Sequence, residues 1–437
     1  MKIAFLGAGS TVFAKNVLGD CLLAENLPQF DIALLDIDGE RLEESYALIC
    51  ALRDKYKPAV NVEKYLCSDE KQTEEGLRDA TYVINAIQVG GYEPCTVTDF
   101  EIPKKYGLRQ TIGDTLGIGG IFRGLRTIPV MKKYADIMER VCPNALFLNY
   151  TNPMSILSGY MQRNTKIKTV GLCHSCQVVV SWLNEQALHL DELKDASYTL
   201  AGINHMCWLL SLKDKDGNDL YPLFKEKFNE VKPEWDLVRL EIMNRFGYYN
   251  TESSEHTSEY HPYFIKKDHP ELIEKFNIPL DEYPRRCINQ MKEWKELREK
   301  IMLPENVVHE RSREYASRII EAMETGVPYK IHANVQNTHL ITNLPANACV
   351  EVPIMVDENG LNPCFVGDLP DQLAGLNMTH IAVHNMVIKA AETLEKQYIY
   401  MAAYLDPHTR DQLTFDEIKS LCDDLIEAHG EWLPTFH

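Results

Sequence analysis

A chain of 437 residues, 45% hydrophobic and 25% charged, has the composition of an ordinary globular protein and length enough for two domains. Its formal net charge of −19 sets it against nucleic acid and anionic membrane surfaces, which would repel it, and no apolar run approaches the roughly 20 residues that span a bilayer. Its 12 cysteines are scattered with no secretory leader ahead of them, so reduced, mostly buried thiols in a cytoplasmic protein are expected.

Residues 2–7 read as a short buried strand that runs through Gly7 and Gly9 into a helix over 11–26. Strand, glycine turn and helix start together make a pyrophosphate site, because Gly7, Gly9 and Ser10 allow close backbone approach while the first N–H groups of the helix face the anion. Val12 stands where the usual third small residue would be. The next strand-like run, 31–36, ends on Asp36, a carboxylate suited to the adenosine ribose of NAD and repulsive to the 2′-phosphate of NADP. Asp38 competes for that role.

Alternation continues through 39–56, 61–67, 70–78, 81–87, 120–141, 145–150, 153–163, 168–173 and 177–189, the pattern of a doubly wound parallel α/β sheet. Such sheets bind ligands at the carboxyl ends of their strands, so the loops after 87, 150 and 173, carrying GGYEP, NYTNP and CHSC, are expected to open on one site. Past about residue 195 the pattern changes, which predicts a domain of residues 1–195 followed by a second over 196–437. Strand-like segments follow at 197–202, 206–212, 330–343 and 349–356, and 371–403 reads as one or two amphipathic helices.

Chemistry-bearing residues gather at these ends. Cys173 and His174 close the sixth strand, and Asn204-His205 follows a strand-like run; a thiolate and an imidazole suit a borderline divalent metal with positions left open. A buried thiol and a hydrogen-bonded core histidine are the alternative, and Cys173-x-x-Cys176 also has redox spacing. Asn149 and Asn152 flank a strand end where amides can hold hydroxyls, or act as turn formers before Pro153. Asp114 lies in TIGDTLGIGG, too rich in glycine for a regular helix, and residues 248–263 pack ionisable groups into a stretch without hydrophobic period, read as a loop. The serine elbow, the zinc helix HExxH and the phosphate loop GxxxxGK are missing.

LGAGS, DID, QVGGYEPCTVTDFEIPKKYGL, QTIGDTLGIGGIFR, LNYTNPM, VGLCHS, AGINHM, TESSEH, PLDEYP and SREYAS, in this order and on to the closing HGEWLP, resemble the NAD- and metal-dependent glycosidases of glycoside hydrolase family 4, and among them most of all the α-galactosidases that cleave melibiose. That family stands outside two-carboxylate glycoside hydrolysis. The resemblance implies a Rossmann-type sheet like that of lactate and malate dehydrogenases, with a second mixed α/β catalytic domain, and NAD and Mn2+ as cofactors. It also implies a small α-galactoside as substrate and a homo-oligomer, dimer or tetramer. In the implied chemistry carbon 3 of the sugar is oxidised, a base removes the proton on carbon 2, the leaving group departs by elimination, and water adds before the hydride returns. Carried over by motif, Cys173 and His205 become the Mn2+ ligands, Asn152 a sugar ligand beside the metal, and Asn149 a ligand of the nicotinamide ribose.

Where relatives acting on phosphorylated α-glucosides have an acidic residue after the metal cysteine, this chain has His174, a group able to protonate a leaving alcohol or to orient substrate. Tyr260 is the implied base, with Tyr249 and His256 as rivals; Asp114 and Arg313 are substrate-contact candidates, Arg313 equally a contact to a neighbouring subunit or a surface ion pair. The alternatives are an α-glucosidase or α-galacturonidase of the same family, a hydroxy-acid or polyol dehydrogenase, and an NAD-sensing binding protein.

Overall fold

The computed structural model describes residues 1–301 and 307–437. Six parallel strands, β1 (Lys2–Leu6), β2 (Asp31–Asp36), β3 (Asn61–Leu66), β4 (Tyr82–Asn85), β5 (Leu146–Asn149) and β6 (Lys168–Gly171), lie in the order β3-β2-β1-β4-β5-β6. That order, with the chain reversing direction across the sheet between β1 and β4, is the one that opens a crevice for a dinucleotide. The central strand β1 is apolar and buried from Ile3 to Leu6 because both faces are covered. Ile3 and Phe5 pack in the layer of the helix Thr11–Leu23, while Ala4 and Leu6 pack in that of the helix Gly117–Val141.

The sheet does not end where the sequence pattern changes. β7 (Ser197–Ile203), β8 (Met206–Lys213), β9 (Tyr249–Asn250), β10 (Tyr329–Gln336), β11 (Cys349–Asp357) and β12 (Gly360–Pro363) continue it antiparallel, with β10 seated on β6 through the pair Asn334 and Gly171. The hairpin β7–β8 turns through Asn204 and His205, which delivers His205 to the end of the sheet where β6 hands over to Cys173.

Two sequence readings are corrected here. The glycine-rich segment does not stay irregular, since the helix Gly117–Val141 takes in its GIGG. A Cβ on Gly119 would stand 2.1 Å from the Gly113 carbonyl oxygen and one on Gly120 2.4 Å from that of Thr115. The glycines therefore let the helix pack against its own incoming loop, which outweighs their poor helix propensity. The ionisable stretch likewise holds β9 and a short helix, Ser254–Tyr260, with Tyr260 buried. Its burial comes from the surrounding protein and left no helical period to read. The stretch 371–403 is two helices, Asp371–Thr393 and Lys396–Leu405. No helix among the described residues is long and apolar enough to cross a membrane.

Candidate active site

The turn after β1 is built from backbone. Gly7 has φ +85°, and a Cβ there would lie 2.6 Å from the Ala86 carbonyl oxygen, so only glycine fits. Gly7 and Ala8 donate to the Leu35 carbonyl oxygen at 2.9 and 3.0 Å. Asp36 accepts from the Gly9 N–H at 2.6 Å and from the Asp38 N–H at 2.9 Å. Asp38 is spent on capping the helix Gly39–Tyr56 through the N–H groups of Glu40 and Arg41, so of the two ribose candidates Asp36 faces the turn. Ser10 is exposed at the start of the helix Thr11–Leu23, whose first turn has no side-chain cap. Val12 is 44% exposed, so its side chain does not need the space that the missing third small residue would have made.

The metal-side cleft is built from side chains on separate elements. Cys173 is the N-cap residue of the helix His174–Leu183, which starts earlier than the sequence pattern implies. His205 adopts φ +64° in the β7–β8 turn, a backbone region that a non-glycine residue enters at a cost. β9 pairs with β8, and the Thr251 N–H donates to the Cys207 carbonyl oxygen at 3.0 Å, which sets Glu252 beside His205. Donor atoms of Cys173, His205 and Glu252 thus lie within 4.8 Å of one another. Burial pushes the Cys173 thiol well up and the His205 imidazole down. Burial also opposes charge on Glu252, yet His205 and His256 outweigh it and hold the carboxyl at about 2. The set pairs one sulfur and one nitrogen with a carboxylate oxygen, the donor type that manganese prefers.

Around this trio stand groups able to move protons. His205 Nε2 is 3.3 Å from Glu252, while Nδ1 is 2.8 Å from the Tyr260 hydroxyl. Asp114 and His256 approach to 3.9 Å, and His256 is 3.5 Å from Glu252. His174 Nε2 lies 2.6 Å from Glu314, and its ring packs near Phe13 and Tyr150, with centroids 6.3 and 5.7 Å away. The His174 side chain is half exposed; partial desolvation works against its protonation, but the Glu314 carboxylate prevails and raises its pKa. A cleft of about 250 Å3 joins Phe13, Gln88, Arg123, Asn152, Cys173 and His174. The Asn152 Oδ1 atom is buried without a partner among the described residues, an acceptor that a native fold seldom leaves unused.

Two sequence-derived candidates are corrected. Asn149 is fully buried and its amide is consumed inside the protein, donating to the Thr151 carbonyl and the Ser158 hydroxyl at 3.1 Å and accepting from Asn85 at 2.9 Å. It braces β4 against β5 rather than meeting a ribose. Arg313 has a 64% exposed side chain paired with Glu185 at 3.1 Å; its neighbour Glu314 is the residue that turns inward. Among the rivals of Tyr260, Tyr249 is fully buried and donates to Asp236 at 2.6 Å, whereas His256 does belong to the cleft.

Glu252, Glu314 and Glu259 escaped the sequence reading. The first two lie in TESSEH and SREYAS, motifs visible in the sequence, but only folding shows which of their ionisable side chains points in. Asp20 fixes Glu314 from a distance, accepting from Ser312 N at 2.8 Å and bonding His309 Nε2 at 2.7 Å. Glu259 accepts the backbone N–H groups of Thr111, Ile112 and Gly113 at 2.8, 3.2 and 2.8 Å, which pins the loop carrying Asp114 to the helix carrying Tyr260. Burial raises its pKa to about 7 despite these donors.

A Rossmann-type strand order that leads into a mixed second half, with ionisable groups gathered at the strand ends, defines an α/β enzyme of the nucleotide-binding class. Sequence profiles described as Family 4 glycosyl hydrolase and Family 4 glycosyl hydrolase C-terminal domain match residues 2–189 and 200–409. An α-galactosidase of Bacillus subtilis is 56% identical over 100% of this chain and 99% of its own length, and one of Rhizobium meliloti is 34% identical over 100% and 89%. The 6-phospho-β-glucosidase of Thermotoga maritima, solved with manganese, NAD+ and glucose-6-phosphate, superposes with a TM-score of 0.81 at 23% identity over 100% of both chains. The chain belongs to glycoside hydrolase family 4.

Proposed function

We propose that this glycosidase is an NAD- and Mn2+-dependent α-galactosidase that hydrolyses small α-galactosides of the melibiose type. One observation carries the reading: a sulfur, an imidazole and a carboxylate lie within 4.8 Å of one another, and the sulfur, that of Cys173, lines a cleft together with His174 and with Phe13 from the helix after the glycine turn. The 56% identity to an α-galactosidase along the whole chain supports galactose over its epimers.

Residues 1–195 supply the nucleotide side in this reading and 196–437 most of the substrate side. The first N–H groups of the helix Thr11–Leu23, above the turn of Gly7, Gly9 and Ser10, receive the pyrophosphate, and Asp36 the adenosine ribose. Cys173, His205 and Glu252 hold the ion. When bound, NAD+ supplies a hydride acceptor for carbon 3 of the sugar, and the ion supplies Lewis acidity for the charge that develops at carbon 2.

The Tyr260 hydroxyl, as phenolate, takes the carbon 2 proton. Burial first, and then the carboxylates of Glu259, Asp114 and Glu252, raise its pKa well above the ordinary value in the bare protein, so its activation rests on positive charge arriving nearby. The His205 Nδ1–H donates to its oxygen and steadies the phenolate. His174, oriented by Glu314, protonates the departing alcohol and afterwards directs water. The Asn152 amide and the Asp114 carboxylate hold sugar hydroxyls. A thiol ligand must stay reduced, which fits a cytoplasmic enzyme.

The test is a panel of epimeric aryl α-glycosides with enzyme stripped of nucleotide and metal. Hydrolysis of the galactoside alone, restored only when NAD+ and Mn2+ are both added, is expected. Undiminished activity of the stripped enzyme, or preference for the glucoside or galacturonide, contradicts the reading.

A further inference from the structure

Behind the cleft lies a second group of ligand-type side chains that the reaction above does not use. Cys176, Cys207 and Glu351 are fully buried, and their sulfurs and carboxylate lie within 4.8 Å of one another. Register explains how they meet. Asn334, Glu351, Gly202 and Cys207 are successive partners across β10, β11, β7 and β8, so they form one row on the sheet. Gly202 supplies no side chain, and a Cβ there would press 2.9 Å from the Cys207 Cα. The first turn of the helix His174–Leu183 brings Cys176 to the Cys207 and Glu351 side chains.

The polar atoms of this pocket are poorly spent. Glu351 Oε1 accepts from Asn334 at 3.1 Å, and the carboxyl lies beside the Cys176 thiol and the Asn204 amide, although Oε2 makes no well-aligned hydrogen bond among the described residues. Asn204, fully buried beside His205, sets its amide against the Glu351 carboxyl but makes no well-aligned hydrogen bond among the described residues. The Cys176 sulfur faces the Cys207 thiol and the Glu351 carboxyl and has a contact of 3.7 Å to the Thr251 hydroxyl, and the Cys207 sulfur has one of 3.9 Å to the Glu351 carbonyl oxygen. A buried carboxyl and amide that meet only poorly aligned partners carry a desolvation cost that hydrogen bonding does not fully offset. An ion bound among them removes that cost.

We propose that Cys176, Cys207 and Glu351, with the Asn204 amide oxygen as fourth donor, hold a zinc-class thiophilic divalent ion. Two thiols and a carboxylic acid release up to three protons as the ion enters, leaving two thiolates, a carboxylate and a neutral amide around it. Four protein donors with no open position make a structural site, in contrast to the open trio in the cleft. The two sites share their supports. Cys173 and Cys176 start one helix, and His205 and Cys207 flank the start of β8. The Cys-x-x-Cys spacing thus divides one cysteine to each site and does not form a redox pair. The buried ion would clamp β8, β11 and the helix start, fixing the backbone that aims Cys173 and His205.

Cadmium titration of the metal-stripped, NAD-loaded chain, followed by native mass spectrometry and thiolate-to-metal absorption, tests this. Two ions per wild-type chain are expected. The Cys173→Ser variant should keep one ion whose absorption reports two sulfurs, and Glu351→Gln should lower the affinity of that ion by at least about 10-fold. Uptake of a single ion by the wild type overturns the proposal without recourse to any variant. So does a sulfur-free remaining ion in Cys173→Ser, or a free-thiol count two short that reveals a Cys176–Cys207 disulfide.

Discussion

The glycine turn and the metal-side cleft meet around His174 and Phe13, yet they are made in opposite ways. Residues 7–10 and Asp36 form the turn almost wholly from main-chain atoms, within one strand-turn-helix-strand unit. Cys173, His205, Glu252 and Tyr260 come from the end of β6, the β7–β8 turn, the segment after β9 and a short helix. A backbone site is sensitive to anything that adds bulk and tolerant of most side-chain chemistry around it. A side-chain site is sensitive to single functional groups and depends on distant elements to aim them. Damage should therefore register as lost chemistry in the cleft and as lost folding and nucleotide affinity in the turn.

The sharpest break is expected at the sulfur. Cys173→Ser should reduce kcat/KM on an aryl α-galactoside by about 1,000-fold or more, because a metal ligand able to stabilise several kcal/mol of transition-state charge is weakened, with the circular dichroism unchanged. Tyr260→Phe comes next, with kcat down by about 100- to 10,000-fold while Mn2+ affinity changes far less. A fall in metal affinity equal to the fall in kcat would instead make Tyr260 only a support for His205.

Gly7→Ala tests the other region. Its Cβ would sit 2.6 Å from the Ala86 carbonyl oxygen at φ +85°, so a stability loss of about 2–3 kcal/mol in denaturant melts and weaker NAD+ binding are expected, with residual turnover at saturating NAD+ near normal. Arg313→Ala marks the lower end. A surface ion pair with Glu185 is worth at most about 1 kcal/mol, and both melting and turnover should stay close to wild type. A large loss of activity there would mean that Arg313, and not only Glu314, serves the site.

The same contrast decides what was legible in the sequence. The turn could be read directly, since strand, glycines and carboxylate follow one another, and the six parallel strands follow from alternating apolar segments. Cys173 and His205 were legible because strand ends converge in this fold. Glu252 and Glu314 were not, since each sits among other ionisable residues and only the pairing of β9 with β8, or the anchoring of residues 309–312 on Asp20, selects one of them. Asn149 misled for the converse reason. A strand-end amide looks available until the neighbouring strand, with Asn85, uses it up. The glycine run at 117–120 misled because helix propensity is local, whereas the close approach that requires glycine is tertiary.

The central claim is that the cleft removes a proton from carbon 2 of the sugar, and hydrolysis in heavy water examines it most directly. The account predicts that galactose released from an aryl α-galactoside carries deuterium at carbon 2, read by mass spectrometry and proton NMR, and that Tyr260→Phe suppresses hydrolysis and exchange together. Full-rate hydrolysis that leaves hydrogen at carbon 2 would contradict it.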